Sequence, residues 1–340
     1  MKKIATFGEI MLRLAPEGYN RLFQNDRLVS TFGGGEANVA VSLAEFGLSA
    51  KFVSKVPDGE IGQAAINSLR YFGVDTTEVV RGGDRLGIYF VEKGASQRPS
   101  VCIYDRRHSS LATATTQDFC WQEILSDVGW LHFTGITPAL GDNVFQICLD
   151  GVKTAKSMGI GVSCDLNFRS KLWTREQACK CMGELCRYVD VCISNEEDAY
   201  DVFGIQATNT DVVGGKIDSD GYESVARQLA AMFDFKMVAI TLRSSISASD
   251  NDWSALLYAD GKVYHTRHYH LHIVDRVGGG DSFGAGLIFG IMTGKNPQEM
   301  LDFAVASSAL KHSIEGDFNR VGVQEVERLA DGDASGRVRR

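Results

Sequence analysis

Short apolar runs alternate with helical patterns along almost the whole chain. The runs predict strands at 4–7, 51–56, 130–133, 161–165, 189–194 and 237–241. Between them, residues spaced three and four apart predict helices at 37–46, 61–72, 143–157, 175–188, 222–233, 280–293 and 297–312. In the first of these, Val39, Leu43 and Phe46 make one apolar stripe. Strand–helix alternation of this kind predicts a parallel sheet with helices on both faces, the α/β class. Two stretches, 11–32 and 82–115, break the rhythm. Within the second, 87–91 and 101–104 read as strands joined through 94–99, a β-rich insertion expected to serve as a lid or a dimer clasp. The stretch 330–340 is polar and rich in Gly, Asp and Arg, and reads as a flexible tail.

Composition narrows the picture. With 340 residues, 44% hydrophobic and 23% charged, the chain is neither disordered nor a coiled coil, and it can bury a large core. A net charge of −8 argues against nucleic acid, which needs a basic face. The same charge requires that any anionic substrate find locally gathered basic side chains. The eight cysteines do not suggest a disulfide framework in a chain of this size. Cys179, Cys181, Cys186 and Cys192 lack a paired C-x-x-C and read as a helix followed by a strand, not a zinc site. The start of the chain does not read as a signal peptide, and the apolar stretch 283–293 is too short to span a bilayer. A soluble, cytoplasmic protein is expected.

The chain has 36 glycines, and the excess is concentrated in two blocks. Asp275-Arg276-Val277-Gly278-Gly279-Gly280-Asp281 follows an apolar pair and opens a helix. Free N–H groups of Gly278, Gly279 and Gly280 at a helix start would form an anion hole. Asp281 inside the loop would repel a dinucleotide pyrophosphate and suits phosphoryl transfer instead. There the amides stabilise charge and the carboxylate takes a proton from the acceptor hydroxyl. Gly33-Gly34-Gly35-Glu36-Ala37-Asn38 opens another helix, and reads either as a connector or as a polyol site using Asn38. Asp165-Leu166-Asn167-Phe168-Arg169 ends a strand, where α/β sheets bind ligands; Arg169 would meet phosphate or carboxylate, or form a structural ion pair. In Ser194-Asn195-Glu196-Glu197-Asp198 the oxygens suit hydrated Mg²⁺ and suit helix capping equally well. His268, His270 and His272 share one face of a strand and read as exposed. The Gly-Lys pairs at 215–216, 261–262 and 294–295 lack a phosphate-loop context, which disfavours P-loop chemistry.

Taken in order, these blocks resemble the ribokinase-like (phosphofructokinase-B-type) carbohydrate kinases over residues 2–325. Within that family the chain looks most like the 2-keto-3-deoxygluconate kinases. The 8–14 stretch, the Gly-Gly-Gly-Glu-Ala-Asn block, the Asp-Arg-Val-Gly-Gly-Gly-Asp block and Gly316-Asp317-Phe318-Asn319 carry the likeness. The resemblance implies a three-layer α/β/α domain over 1–325, a mostly parallel sheet, and a small β lid made by 11–32 and 87–106. It implies Asp281 as catalytic base with the amides of Gly278, Gly279 and Gly280. Substrate would lie against Gly34, Gly35, Asn38, Tyr89, Tyr104, Arg106, Arg169 and Asp281. The nucleotide would lie against Asn167, Arg169, Asn195, Thr241, Arg243, Gly278 and Gly280. Mg²⁺ would sit near Asn195 and Asp198 through water, and a monovalent cation such as K⁺ near Asp275 and 313–316. Partners are then ATP, a sugar acid and a second copy of the chain through the lid, with no membrane.

Three features depart from the family pattern. Asp198 stands where Glu is common. The nucleotide loop 241–249 lacks its glycines. Tyr104 is followed by Asp105-Arg106-Arg107-His108. The expected reaction is ATP-dependent phosphorylation of the 6-hydroxyl of 2-keto-3-deoxygluconate. The alternative is a fructokinase-like or tagatose-type ketose kinase, against which Arg106 and Arg169 argue. A dinucleotide-dependent oxidoreductase fails on loop spacing and on Asp281, and the intact Asp281 argues against a silent sugar sensor.

Overall fold

The structure, a computed structural model, describes residues 2–195, 197–207 and 219–336. Glu196 of the acidic turn, the Gly215-Lys216 pair and residues 337–340 of the expected tail lie outside the described residues. In chain order the strands are β1 Lys3–Phe7, β2 Met11–Ala15, β3 Val29–Gly33, β4 Ala50–Val56, β5 Val79–Arg81, β6 Gly87–Glu92 and β7 Val101–Asp105. There follow β8 Val128–Thr134, β9 Gly161–Asp165, β10 Val191–Ser194, β11 Met237–Ser245, β12 Asp250–Ala259, β13 Lys262–His265 and β14 Tyr269–His272.

Among the described residues, ten of these strands form one sheet, in the order β13-β12-β11-β10-β9-β8-β1-β4-β5 with β14 beside β13 on β12. From β11 to β5 every pairing is parallel; β12 pairs antiparallel with β11, β13 and β14. All six strands expected from the apolar runs are present. The antiparallel edge was not legible as such, because the apolar run from Trp253 is preceded by Asp250-Asn251-Asp252, which reads as a loop.

Helices cover both faces and divide the core in two. One core packs the helices Asp142–Ser157, Arg175–Leu185 and Ser219–Phe233 against the sheet. The other packs Gly35–Glu45, Glu60–Arg70, Gly279–Thr293 and Pro297–Lys311. Helix starts carry their usual signals. Asn296 caps Pro297–Lys311 with Pro297 in first place, and accepts from Glu299 N at 3.1 Å while Glu299 answers to Asn296 N at 3.0 Å. A short final helix, Val323–Ala330, escaped the sequence reading.

The two stretches that broke the rhythm make a separate four-stranded sheet, β3-β2-β6-β7. Side chains alternate across it: Met11, Arg13, Ala15, Tyr89 and Val91 are buried on the inward face. The histidine strand is exposed as expected. His270 and His272 pair across the ladder with Asp252 at 2.8 Å and Asp250 at 2.7 Å, partners that spacing alone did not reveal.

Candidate active site

The carboxyl ends of β8, β9, β10 and β11, the starts of two helices and the inward face of the small sheet meet at one cavity of about 320 Å³. Parallel sheets place ligands at this end because the loops there carry side chains on a rigid frame. Asp281 stands at the first turn of Gly279–Thr293, preceded by Gly278. Gly278 has φ +85°, and a Cβ there would meet the Asp317 carbonyl at 2.1 Å, so only glycine fits. Gly278 and Gly280 line the cavity.

Asp281 Oδ2 accepts from Asn38 Nδ2 at 2.7 Å. Asp281 keeps one face on the cavity while protein surrounds the rest. Burial pushes its pKa up to about 7; the Asn38 bond pulls down, and Asp317 and Glu36 push up again. The group therefore titrates near neutrality, as a general base should. Glu36 fixes this geometry from below. Its Oε1 accepts from Thr134 N, Thr134 Oγ1 and Thr137 Oγ1 at 2.9, 2.9 and 2.6 Å, which joins the helix start to the end of β8.

On the lid side, Tyr89 and Tyr104 stack with centroids 5.9 Å apart, and the Arg106 guanidinium lies over the Tyr104 ring. Asp317 gathers the lid and the core: it accepts from Arg13 at 2.6 Å, Tyr89 at 2.6 Å and Asn38 at 3.5 Å. Arg169 reaches the same cavity from the end of β9. Its guanidinium donates to the Phe168 carbonyl at 2.9 Å and makes no ion pair among the described residues. Asn167, beside it, sits at φ +38°, a costly conformation for a non-glycine residue, held by its amide on Asp165 Oδ1 at 3.1 Å.

On the other side, β11 runs four residues past the expected strand end. Alternation puts Thr241 and Arg243 on its cavity face, while Leu242 is buried on the opposite side. Trp253 and Asn251 lie across from Arg243 and Ser245 on β12 and also line the cavity. The expected nucleotide loop 241–249 is therefore mostly strand, and its turn docks on the lid: Ala248 N donates to Ser96 O at 2.8 Å. Arg276 completes this end. It donates to Ala248 O at 3.0 Å, and burial together with nearby Arg243 lowers its pKa. Two converging guanidinia of this kind suit a polyanion.

These observations place a carboxylate at a glycine-led helix start and a two-ended cavity on a three-layer α/β frame. The description "pfkB family carbohydrate kinase" matches residues 1–318. The chain belongs to the pfkB family of carbohydrate kinases. It is 48% identical to the crystal structure of 2-dehydro-3-deoxygluconokinase from Thermotoga maritima, with a TM-score of 0.94 over 98% of this chain and 100% of that one. It is 32% identical to 2-dehydro-3-deoxygalactonokinase of Haloferax volcanii, covering 98% of both chains. It is 27% identical to 2-dehydro-3-deoxygluconokinase of Bacillus subtilis, covering 96% of this chain and 93% of the relative. The resemblance read from the two glycine blocks is thus borne out at the level of family and ribokinase-like fold.

Within this pfkB kinase, Gly34, Gly35, Asn38, Tyr89, Tyr104, Arg106, Asn167, Arg169, Asn195, Asp198, Thr241 and Arg243 all line the one cavity. Four of the sequence assignments fall on groups that already make contacts within the protein. Gly279 is absent from the cavity lining, and its amide donates to the Arg276 carbonyl at 3.3 Å. Asp275 lies beneath the loop, outside the cavity. Its carboxylate accepts from Arg13 at 2.5 Å, Gly316 N at 3.1 Å and Val277 N at 3.1 Å, so protein donors occupy the group expected to meet K⁺. Arg106 is already paired with Glu9 at 2.5 Å. Asn195 Oδ1 accepts from Glu197 N and Asp198 N at 2.8 and 2.9 Å, which is the capping alternative.

Sequence reasoning gave no role to Arg13, Asp165, Trp253, Arg276, His312 or Asp317. Arg13 and Asp317 stood inside the quoted blocks, but their pairing spans 304 residues and no local pattern announces it. Asp165 is held well above the usual carboxylate range by burial and by Asp198 and Asp281.

Proposed function

We propose that this chain is an ATP- and Mg²⁺-dependent kinase that phosphorylates the 6-hydroxyl of 2-keto-3-deoxygluconate. The observation that carries the reading is Asp281, a carboxylate poised near pH 7 at a helix N-terminus, with Arg169 facing the same cavity and in no ion pair among the described residues. Two of the relatives are named for the same sugar acid, under its synonym 2-dehydro-3-deoxygluconate, and a third for the galacto form.

Asn38 holds Asp281 so that one carboxylate oxygen faces the cavity to take the hydroxyl proton. The amides of Gly278 and Gly280 face the charge that develops on the transferring group. Arg243 and Arg276 hold the donor phosphates, and Arg169 the substrate carboxylate. The lid, tied to the core through Arg13, Tyr89 and Asp317, excludes water, so ATP is not wasted on hydrolysis. Asn195, Asp198 and Asp165 line the cavity with oxygen groups that would hold a hydrated Mg²⁺. Asp165 and Asp198 crowd each other there and would welcome positive charge. When bound, Mg²⁺ neutralises phosphate charge and orients the donor.

The Arg106–Glu9 pair is the one observation that favours a neutral ketose, since it offsets one of the two expected arginines. Arg169 keeps the sugar-acid reading ahead. We read residues 1–325 as one kinase domain whose small sheet is the lid. Its outward face presents Leu14, Ile88, Phe90 and Ile103, with Phe23 74% exposed beside Phe90. A second copy docking lid to lid would cover this face. Light scattering on purified protein tests it: a dimer or larger supports the reading, a monomer with Phe23 intact contradicts it. An ATP-consuming kinase of this kind belongs in the cytoplasm. No helix among the described residues is long and apolar enough to cross a membrane.

Coupled ADP release with Arg169→Ala tests the substrate class. The KM for the sugar acid should rise about 10- to 100-fold, the loss of one charge-assisted bond, with a much smaller change for fructose. Equal changes would favour the neutral sugar.

A further inference from the structure

Lys311 ends the helix Pro297–Lys311 and is wholly inaccessible, at 0% exposure. Its ammonium donates to the Ile314 carbonyl at 3.1 Å. No carboxylate lies within 4 Å of it among the described residues, yet Asp275, Asp317 and Asp281 all act on it electrostatically. Burial lowers its pKa and these three acids oppose the fall. Burying an ammonium is costly where a leucine would pack freely, so its charge needs a reason.

Its position supplies one. A Cβ on Gly278 would lie 3.2 Å from Lys311 Cε, so the side chain passes directly under the first glycine of the anion hole. The segment around Lys311 also carries the loop above it: Val274 N and Asp275 N both donate to the His312 carbonyl, at 2.8 and 3.3 Å. Gly316 N donates to Asp275 on the far side at 3.1 Å. The loop 275–280 and the loop 312–317 thus close around one ammonium. Asp275, Asp317 and Asp281 share this region with Arg13 below the loop and with Arg276 on it. Asp281 must ionise there while a polyanionic donor arrives.

We propose that Lys311 is a positioning residue: a tethered cation beneath the anion hole that braces both loops and adds fixed positive potential where phosphoryl charge develops. Turnover is then indifferent to the monovalent cation in solution, because the chain carries its own. This rests on the phosphoryl-transfer reading. Removing the ammonium lowers kcat and leaves the sugar KM nearly unchanged, since Lys311 does not line the cavity.

The test is ADP release by the full chain in sodium, potassium and tetramethylammonium chloride, with Lys311→Met and Lys311→Ala beside wild type. Wild type should vary by less than about twofold, and Lys311→Met should lose about 30-fold or more in kcat with little change in KM. Added ammonium or potassium should restore Lys311→Ala in a saturable way and leave wild type unmoved. Strong activation of wild type by potassium overturns the proposal. So does a Lys311→Met kcat within about threefold of wild type. If neither variant folds, the wild-type salt series still decides. Failure of the kinase reading looks different: wild type releases no ADP with any sugar in any salt.

Discussion

Replacing Asp281 by Asn should remove activity and strengthen the fold at the same time. A carboxylate moved from 3.8 to about 7 prefers its neutral form in the native state. Between those two values the folded chain holds a proton that the unfolded chain has released, so stability falls as pH rises through the interval. Above pH 7 the cost is complete, at most about 4 kcal/mol at ~1.4 kcal/mol per pKa unit. Asn cannot ionise, keeps the amide-sized shape and still offers an oxygen to Asn38. Asp281→Asn should therefore melt several degrees above wild type at pH 8, and the gap should shrink to under about 2 kcal/mol at pH 5, where only part of the interval has been crossed. Loss of the general base should lower kcat about 10²- to 10⁴-fold with ATP binding retained. Differential scanning calorimetry at the two pH values and coupled ADP release read both effects. Turnover near wild type would refute the base assignment. Equal stability at pH 8 would refute the electrostatic account of the site.

The same pKa sets the pH profile: kcat/KM should rise through about pH 7 as Asp281 ionises, and a profile flat from pH 5.5 to 8.5 would contradict it. Arg276→Ala should raise the KM for ATP by about tenfold or more and leave the sugar KM alone, read by steady-state kinetics. Arg13→Met should destabilise by about 3–5 kcal/mol in urea melts, because Asp275 and Asp317 lose the cation each holds at about 2.5 Å. A melt unchanged by that substitution would show that the two acids find other partners.

The fold was legible wherever one period governed a segment. The parallel strands and the seven long helices stood out because their apolar positions repeat without interruption, and the caps at Thr174 and Asn296 confirmed two starts. The site was legible where chemistry sits inside a local block: Asp281 and its glycines, Asn38, and Arg169 at a strand end. It was not legible where partners lie far apart in the chain. Arg13 meets Asp317 and Asp275 only because the small sheet folds over the cavity. The Arg106–Glu9 ion pair was not legible, because nothing in sequence joins the two residues. Gly33 and Gly34 suggested a ligand close to the backbone. The protein itself also requires them, since the Asp317 carboxylate and the Glu9 carbonyl come up against them where a Cβ would lie 2.2 and 1.9 Å away, and Gly34 lines the cavity as well. The missing glycines at 241–249 signalled a real change: that end of the cavity is built on a strand pair and lined by side chains such as Arg243 and Arg276.

The most direct test of the whole account is ADP release with ATP and Mg²⁺ across 2-keto-3-deoxygluconate, its galacto epimer, fructose, tagatose and ribose. The keto-deoxy acids should win in kcat/KM by about tenfold or more, a preference of ~1.4 kcal/mol in the transition state. A neutral ketose turned over as well as or better than the acids would leave the kinase standing and contradict the role given to Arg169.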